Sequence, residues 1–151
     1  MIIYGIYDRV RKYFIILARI NVDNKWYNVN FMFDTGASVT ALLDRDAIRI
    51  FGGKFHKLKK ARKDLVGIGG FADTYVAANV ELELIDAYNL ETKYRITLEK
   101  LYVVTHHKRF RGEEWKRVSQ LPSIIGRDIL FKAKKITINL EETPPQLQII
   151  F

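Results

Sequence analysis

The sequence predicts a single, mostly-β domain, and three observations carry that expectation. Apolar residues recur at every second position in short runs, and Gly, Asn, Asp and Pro separate the runs; this is the period of half-buried strands. The length of 151 residues suits one domain. With 48% hydrophobic and 28% charged residues and only 3 Pro, the chain can bury a core. No tandem repeat or linker interrupts it, so residues 1–151 are expected to fold as one unit.

The elements follow in order. Residues 13–22 read as a strand, 23–25 as a turn and 26–33 as the hairpin partner. In that partner Tyr27, Val29, Phe31 and Phe33 share one face and Asn28 and Asn30 the other. A short strand is expected over 39–43. Asp44 is then expected to N-cap a brief helix, 45–51, that Gly52 and Gly53 end. Residues 65–71, with Gly67, Gly69 and Gly70, read as a glycine-tipped hairpin. Strands are expected over 75–85 and 94–105, joined through 87–92. Residues 106–118, the most polar stretch, read as a surface loop. A helical turn is expected over 129–132. A closing hairpin pairs 136–140 with 147–151 around 141–145.

Composition excludes several functions. The chain has no Cys, which removes disulfides, Fe–S clusters, Cys-zinc sites and thiol catalysis. No apolar run approaches the ~20 residues that span a bilayer. The start, Met-Ile-Ile-Tyr-Gly, has no basic segment before an apolar one. No membrane span or secretory signal is therefore expected, and the expected location is the cytoplasm. His106 and His107 are adjacent rather than helix-spaced and have no H-E-x-x-H context, so no metal or other cofactor is expected.

The net charge is +8, from 25 Lys+Arg against 17 Asp+Glu. Such a balance favours acidic partners, or simply keeps a protein soluble. The strongest cluster is Lys54, His56, Lys57, Lys59, Lys60, Arg62 and Lys63, which either draws in acidic peptides or forms a solvated face. Phe110 and Trp115 among Lys108, Arg109, Arg111, Lys116 and Arg117 have the makings of a base-stacking platform. Glu113 and Glu114 in their midst would repel phosphate, so this stretch reads as a charged loop anchored by its aromatics.

Chemistry concentrates in two segments. In the first, Asp34-Thr35-Gly36-Ala37-Ser38 follows the apolar run Phe31-Met32-Phe33. A carboxylate at the end of a buried strand needs donors. The Thr35 and Ser38 hydroxyls and the N–H groups of Gly36 and Ala37 can supply them. Alone, the same residues also describe a solvated turn. In the second, Ile124-Ile125-Gly126-Arg127-Asp128 reads locally as a strand, a glycine turn and a capped helix. Between them lies Val66-Gly67-Ile68-Gly69-Gly70-Phe71. A phosphate-cradling role for those glycines lacks the strand–turn–helix context it requires.

In combination and order, D-T-G-A-S, the glycine-tipped hairpin and I-I-G-R-D resemble the retroviral-type (retropepsin-like) aspartic proteases. The resemblance spans about residues 13–151, and the longer form looks closer to cellular microbial relatives than to viral enzymes. It implies a closed β-barrel of the acid-protease fold, with one or two short helices and a β-hairpin flap. It implies that Asp34 is the catalytic carboxylate, with Thr35 and Gly36 shaping its loop. Thr35 would bond across to the partner subunit's copy, and Ser38 would donate towards Asp34. Val66, Gly67, Ile68, Gly69, Gly70 and Phe71 would form the flap over a peptide or unfolded-protein substrate. Ile124, Ile125 and Gly126 would support the catalytic loop, and Arg127 and Asp128 would make ion pairs near the subunit interface.

The chemistry implied needs two close carboxylates sharing one proton. The chain carries one D-T-G, so the second Asp34 must come from a second copy on a two-fold axis. The resemblance thus implies a homodimeric aspartic endopeptidase, inactive as a monomer. Residues 146–151 would either stitch two subunits together or complete each subunit's own sheet. A non-catalytic dimeric peptide-binding module on the same fold, and a basic nucleic-acid-binding β protein, are the competing readings.

Overall fold

The computed structural model describes residues 1–61, 66–67, 70–106 and 110–151, the side chains of residues 56, 66, 67, 70 and 71 excepted. Strand β1 (Ile2–Tyr4) and strand β2 (Ile6–Asp8) open the chain. Strand β3 (Tyr13–Val22) and strand β4 (Lys25–Phe33) form the expected hairpin. Asp23 and Asn24 turn it, with left-handed φ of 53° and 61°. Two positive-φ residues in a two-residue turn match the right-handed twist of the strands they join. Along β3, Phe14, Ile16, Ala18 and Ile20 are buried and the residues between them less so, as the pleat requires.

Strand β5 (Ala41–Leu42) leads into helix α1 (Asp44–Phe51). The helix buries Ala47 and Ile50 and stops where Gly52 adopts a left-handed φ of 58°, its N–H bonded to the Ile48 carbonyl. A 3-10 turn, Phe55–Lys57, precedes strand β6 (Lys59–Lys60). Strands β7 (Val66–Gly67) and β8 (Gly70–Phe71) pair with each other. The long strands β9 (Asp73–Ile85) and β10 (Lys93–Thr105) follow. Helix α2 (Gly112–Val118), strand β11 (Ser123–Ile125), helix α3 (Arg127–Leu130), and strands β12 (Lys135–Asn139) and β13 (Gln146–Ile150) complete the chain.

The main sheet has the order β2-β3-β4-β11-β5-β10-β9-β6, and β9 pairs with β3 as well as with β10. The core it encloses includes Ile16, Ile20, Phe31, Leu82, Leu84, Leu101, Ile125 and Ile129, all essentially inaccessible. The chain's two ends meet in a second sheet, β1-β13-β12, in which β13 has a neighbour on each side. The closing strand therefore completes a sheet within its own chain.

Several expectations change. The strand expected over 39–43 shortens to Ala41–Leu42, because the Thr40 N–H goes to the Asp128 carboxylate rather than to a ladder. Asp44 does not cap α1; Leu43 holds that position, with no side-chain cap. The Asp44 carboxylate instead accepts from the His106 N–H and meets its Nδ1, each at 2.6 Å. His106 is accordingly buried, not part of a surface loop, and 112–118 is helical. Acidic Glu113 and Glu114 stand in the first turn of α2 and Lys116 and Arg117 in the last, complementing its dipole. Of the residues expected to form a stacking platform, Lys108 and Arg109 lie outside the described residues.

One polar row crosses the sheet. Arg19, Glu83 and Arg95 are register partners on β3, β9 and β10. Glu83 is buried and bonded to both guanidinium groups, which also lie 4.7 and 5.7 Å from the Trp26 ring. The hydrogen bond from Arg19 above all, then that from Arg95, holds the Glu83 carboxyl below its ordinary range, against the opposing effect of burial. A depressed native pKa means stability that is present at neutral pH and lost as pH falls below the unfolded value near 4.5. Glu83→Gln should cost about 2 kcal/mol at pH 7 and flatten the acid limb of a stability–pH curve measured by urea unfolding.

Candidate active site

Strand β11 builds the site by threading between two strands that lie far earlier in the sequence. It pairs parallel with β4, Ser123 to Phe31 through Ile125 to Phe33, and antiparallel with β5 at Ile124 and Ala41. Where β4 ends, the Asp34 N–H donates to the Ile125 carbonyl at 3.2 Å. The chain then turns on itself. The Gly36 N–H donates to Asp34 Oδ1 at 2.8 Å and the Ala37 N–H to the Asp34 carbonyl at 3.3 Å. A Cβ on Gly36 would sit 3.1 Å from Asp34 Oδ1, so the residue's small size permits this approach.

Residues 126–128 clamp the far side of the loop. Arg127 donates through one guanidinium nitrogen to the carbonyls of Thr35 at 3.0 Å and Gly36 at 3.2 Å, and its own N–H bonds the Ala37 carbonyl at 2.9 Å. Asp128 accepts from the Thr40 hydroxyl at 2.7 Å and the Thr40 N–H at 2.9 Å. The same hydroxyl accepts the Gly126 N–H at 3.1 Å. Gly126 is itself packed against backbone, since a Cβ there would lie 2.4 Å from the Val39 carbonyl oxygen.

Ion pairs near the subunit interface were expected of Arg127 and Asp128; within the single chain, among the described residues, neither makes one. Each serves the loop directly, with charge-assisted hydrogen bonds to backbone groups and a hydroxyl.

Of the residues singled out in the sequence, the structure joins Asp34, Thr35 and Gly36 to 125–127 by hydrogen bonds. Asp34 is half-buried, and Thr35, Gly36 and Ser38 are exposed in the single chain. Among the described residues Ser38 makes no hydrogen bond to Asp34; the donor is Gly36. Val66 and Gly67 pair with Phe71 and Gly70 as a separate two-stranded sheet. Ile68 and Gly69 lie outside the described residues.

The sequence reading missed three supporting groups. Thr40 is fully buried and links Asp128 to Gly126. Ser123 donates to Asp46 at 2.6 Å while accepting the Leu43 N–H at 3.1 Å. The Asp44–His106 pair ties α1 to the end of β10. The available signal was a hydroxyl or carboxylate inside an otherwise apolar run, which must have a partner if it is buried. No cluster of potential metal ligands occurs among the described residues.

The fold that carries this Asp-Thr-Gly loop, with a later strand threaded beside it, has a retropepsin-like counterpart among solved structures. The chain is similar over 99% of its length to the crystal structure of a retropepsin-like aspartic protease from Rickettsia conorii. Of that chain 90% is covered, with 22% identity and a TM-score of 0.57. No family model and no curated protein sequence matches the chain.

Two substitutions test the clamp. Thr40→Val leaves the buried Gly126 N–H without its acceptor and should cost about 1–3 kcal/mol in urea unfolding, with Thr40→Ser restoring part of it. Gly126→Ala places a methyl group against Val39 backbone and should cost about 1–3 kcal/mol.

Proposed function

We propose that the chain is a homodimeric aspartic endopeptidase whose two Asp34 carboxylates, one per subunit, activate a water for peptide-bond hydrolysis. The observation that carries this reading is the state of Asp34. The loop that holds it is clamped from both sides, yet its carboxylate accepts one hydrogen bond among the described residues. Asp128 by contrast accepts from Thr40 twice and from the Ile129 N–H. A fixed carboxylate with unused lone pairs at the open end of a strand is poised to meet a partner. The retropepsin-like fold supports the reading.

In the dyad, two carboxylates about 3 Å apart share one proton because both cannot ionise at that distance, as in the aspartic proteases generally. The ionised member takes a proton from water while the protonated member polarises the scissile carbonyl, and the roles exchange as the amine leaves. Activity requires the pair to hold one shared proton. A second copy facing the loop would cover Thr35, Gly36 and Ser38, which are exposed in the single chain. Because β13 is paired on both sides within its own chain, we place the contact at this loop rather than at the terminal strands. We read the run of pairings from β3 through β4, β11, β5, β10 and β9 back to β3 as the closed barrel, and the 66–71 hairpin as the flap over an extended substrate.

Wild-type protein incubated with a peptide library at acidic pH should cleave it, with specific activity rising with protein concentration as dimer forms. Asp34→Asn should lower the rate by at least about two orders of magnitude without lowering the unfolding midpoint, as read by mass spectrometry and urea unfolding. Full cleavage by Asp34→Asn would refute the assignment.

A further inference from the structure

A groove of about 1170 Å³ opens away from the Asp34 loop; none of residues 34–38 lines it. It lies between the Asp23–Asn24 turn, the end of α1, the 54–59 segment and β9 from Val76 to Glu81. Its origin is a gap in the sheet. β9 pairs with β6 through Tyr75 and Val76, and with β3 from Glu81 onward. Among the described residues, Ala77, Ala78 and Val80 pair only with β10 and Asn79 with no strand, so this side of β9 has no neighbouring strand. Asn79, with a left-handed φ of 52°, bends the strand there, and Ala78 and Asn79 are exposed. An unpaired strand edge presents backbone donors and acceptors to any extended chain that fits it.

The walls are chemically biased. Val76, Ala77 and Val80 line the groove with apolar surface, and Phe51 and Leu58 flank them. Lys25, Lys54, Lys57 and Lys59 line it too; all four are exposed, and none forms an ion pair among the described residues. Arg49, the remaining cation of the groove, is engaged by Asp46 at 3.1 Å. Asp23 and Glu81 are the acidic residues of the lining, so cations predominate.

We infer that this groove docks an extended acidic segment of a polypeptide partner, its backbone along the open edge of β9 and its carboxylates among the four lysines. Strand addition supplies main-chain hydrogen bonds, and alternate apolar side chains meet the groove wall. The lysines supply steering and discrimination against neutral or basic chains. A nucleic acid suits the lysines but not the strand edge, and the Tyr27 ring it would stack on is already covered by the Lys25 ammonium at 5.2 Å.

The test uses full-length Asp34→Asn protein, so that no probe is hydrolysed and failure of the protease reading cannot alter the result. Fluorescence anisotropy would compare a labelled peptide of alternating Glu and Val, the same peptide with Gln for Glu, and an oligothymidylate. The Glu–Val peptide should bind, weakening with salt. The Gln peptide should bind at least about tenfold more weakly, as should the acidic peptide to Lys25→Glu/Lys57→Glu/Lys59→Glu. The neutral triple variant to Gln should fall between. These lysines are exposed, and matching circular dichroism spectra and urea midpoints would verify that the variants are folded. Absence of Glu–Val binding, equal binding by the triple Glu variant, or tighter binding of the oligonucleotide would each overturn the inference.

Discussion

The structure depends on one close backbone crossing, Gly126 against Val39. A side chain there would meet backbone at 2.4 Å, and backbone cannot rotate away as a side-chain tip can. Glycine lets β11 lie between β4 and β5, and this insertion brings residues more than eighty positions apart into hydrogen-bonding distance. Without it, Asp34 would sit on an ordinary strand-end turn whose ordering would have to overcome its own conformational entropy. With it, the loop is bonded through the Asp34 N–H, the carbonyls of Thr35, Gly36 and Ala37, and the Thr40 N–H.

Around that crossing the fold distributes its buried charge with care. Asp44, Asp46, Glu83 and Asp86 are all buried, and each accepts hydrogen bonds: Asp44 from His106, Asp46 from Ser123 and Arg49, Glu83 from its two arginines, Asp86 from the Tyr4 N–H. Buried carboxylates persist only with such partners. Asp34 is the contrasting case: less buried, rigidly mounted and lightly bonded. Asp34 thus differs from the four buried carboxylates in how completely the fold satisfies it.

Much of this was legible in sequence because strand alternation and turn chemistry are local. The 13–22 and 26–33 hairpin, the two long strands and the 124–128 segment were read within a few residues of their observed bounds. What was hidden depends on tertiary partners. Asp44 has the composition of an N-cap, but it turns to His106, sixty-two residues away. His106 stands in a run of polar and basic residues, and nothing local reveals that it is buried. Arg127 and Asp128 look like an ion-pairing dipeptide, yet both satisfy the neighbouring loop. Strands β1, β2 and β6, none longer than three residues, are too short to show a period.

The chain's two ends close a three-stranded sheet of their own. Both edges of β13 are occupied by β1 and β12 of the same chain, so this sheet is complete without a strand from a second copy. Under the homodimeric reading proposed above, folding and assembly would be separable events. A dilute subunit would persist as an intact, silent body, and local abundance would act as the switch. The lifetime of the pair, not the durability of its members, would then govern how long catalysis lasts.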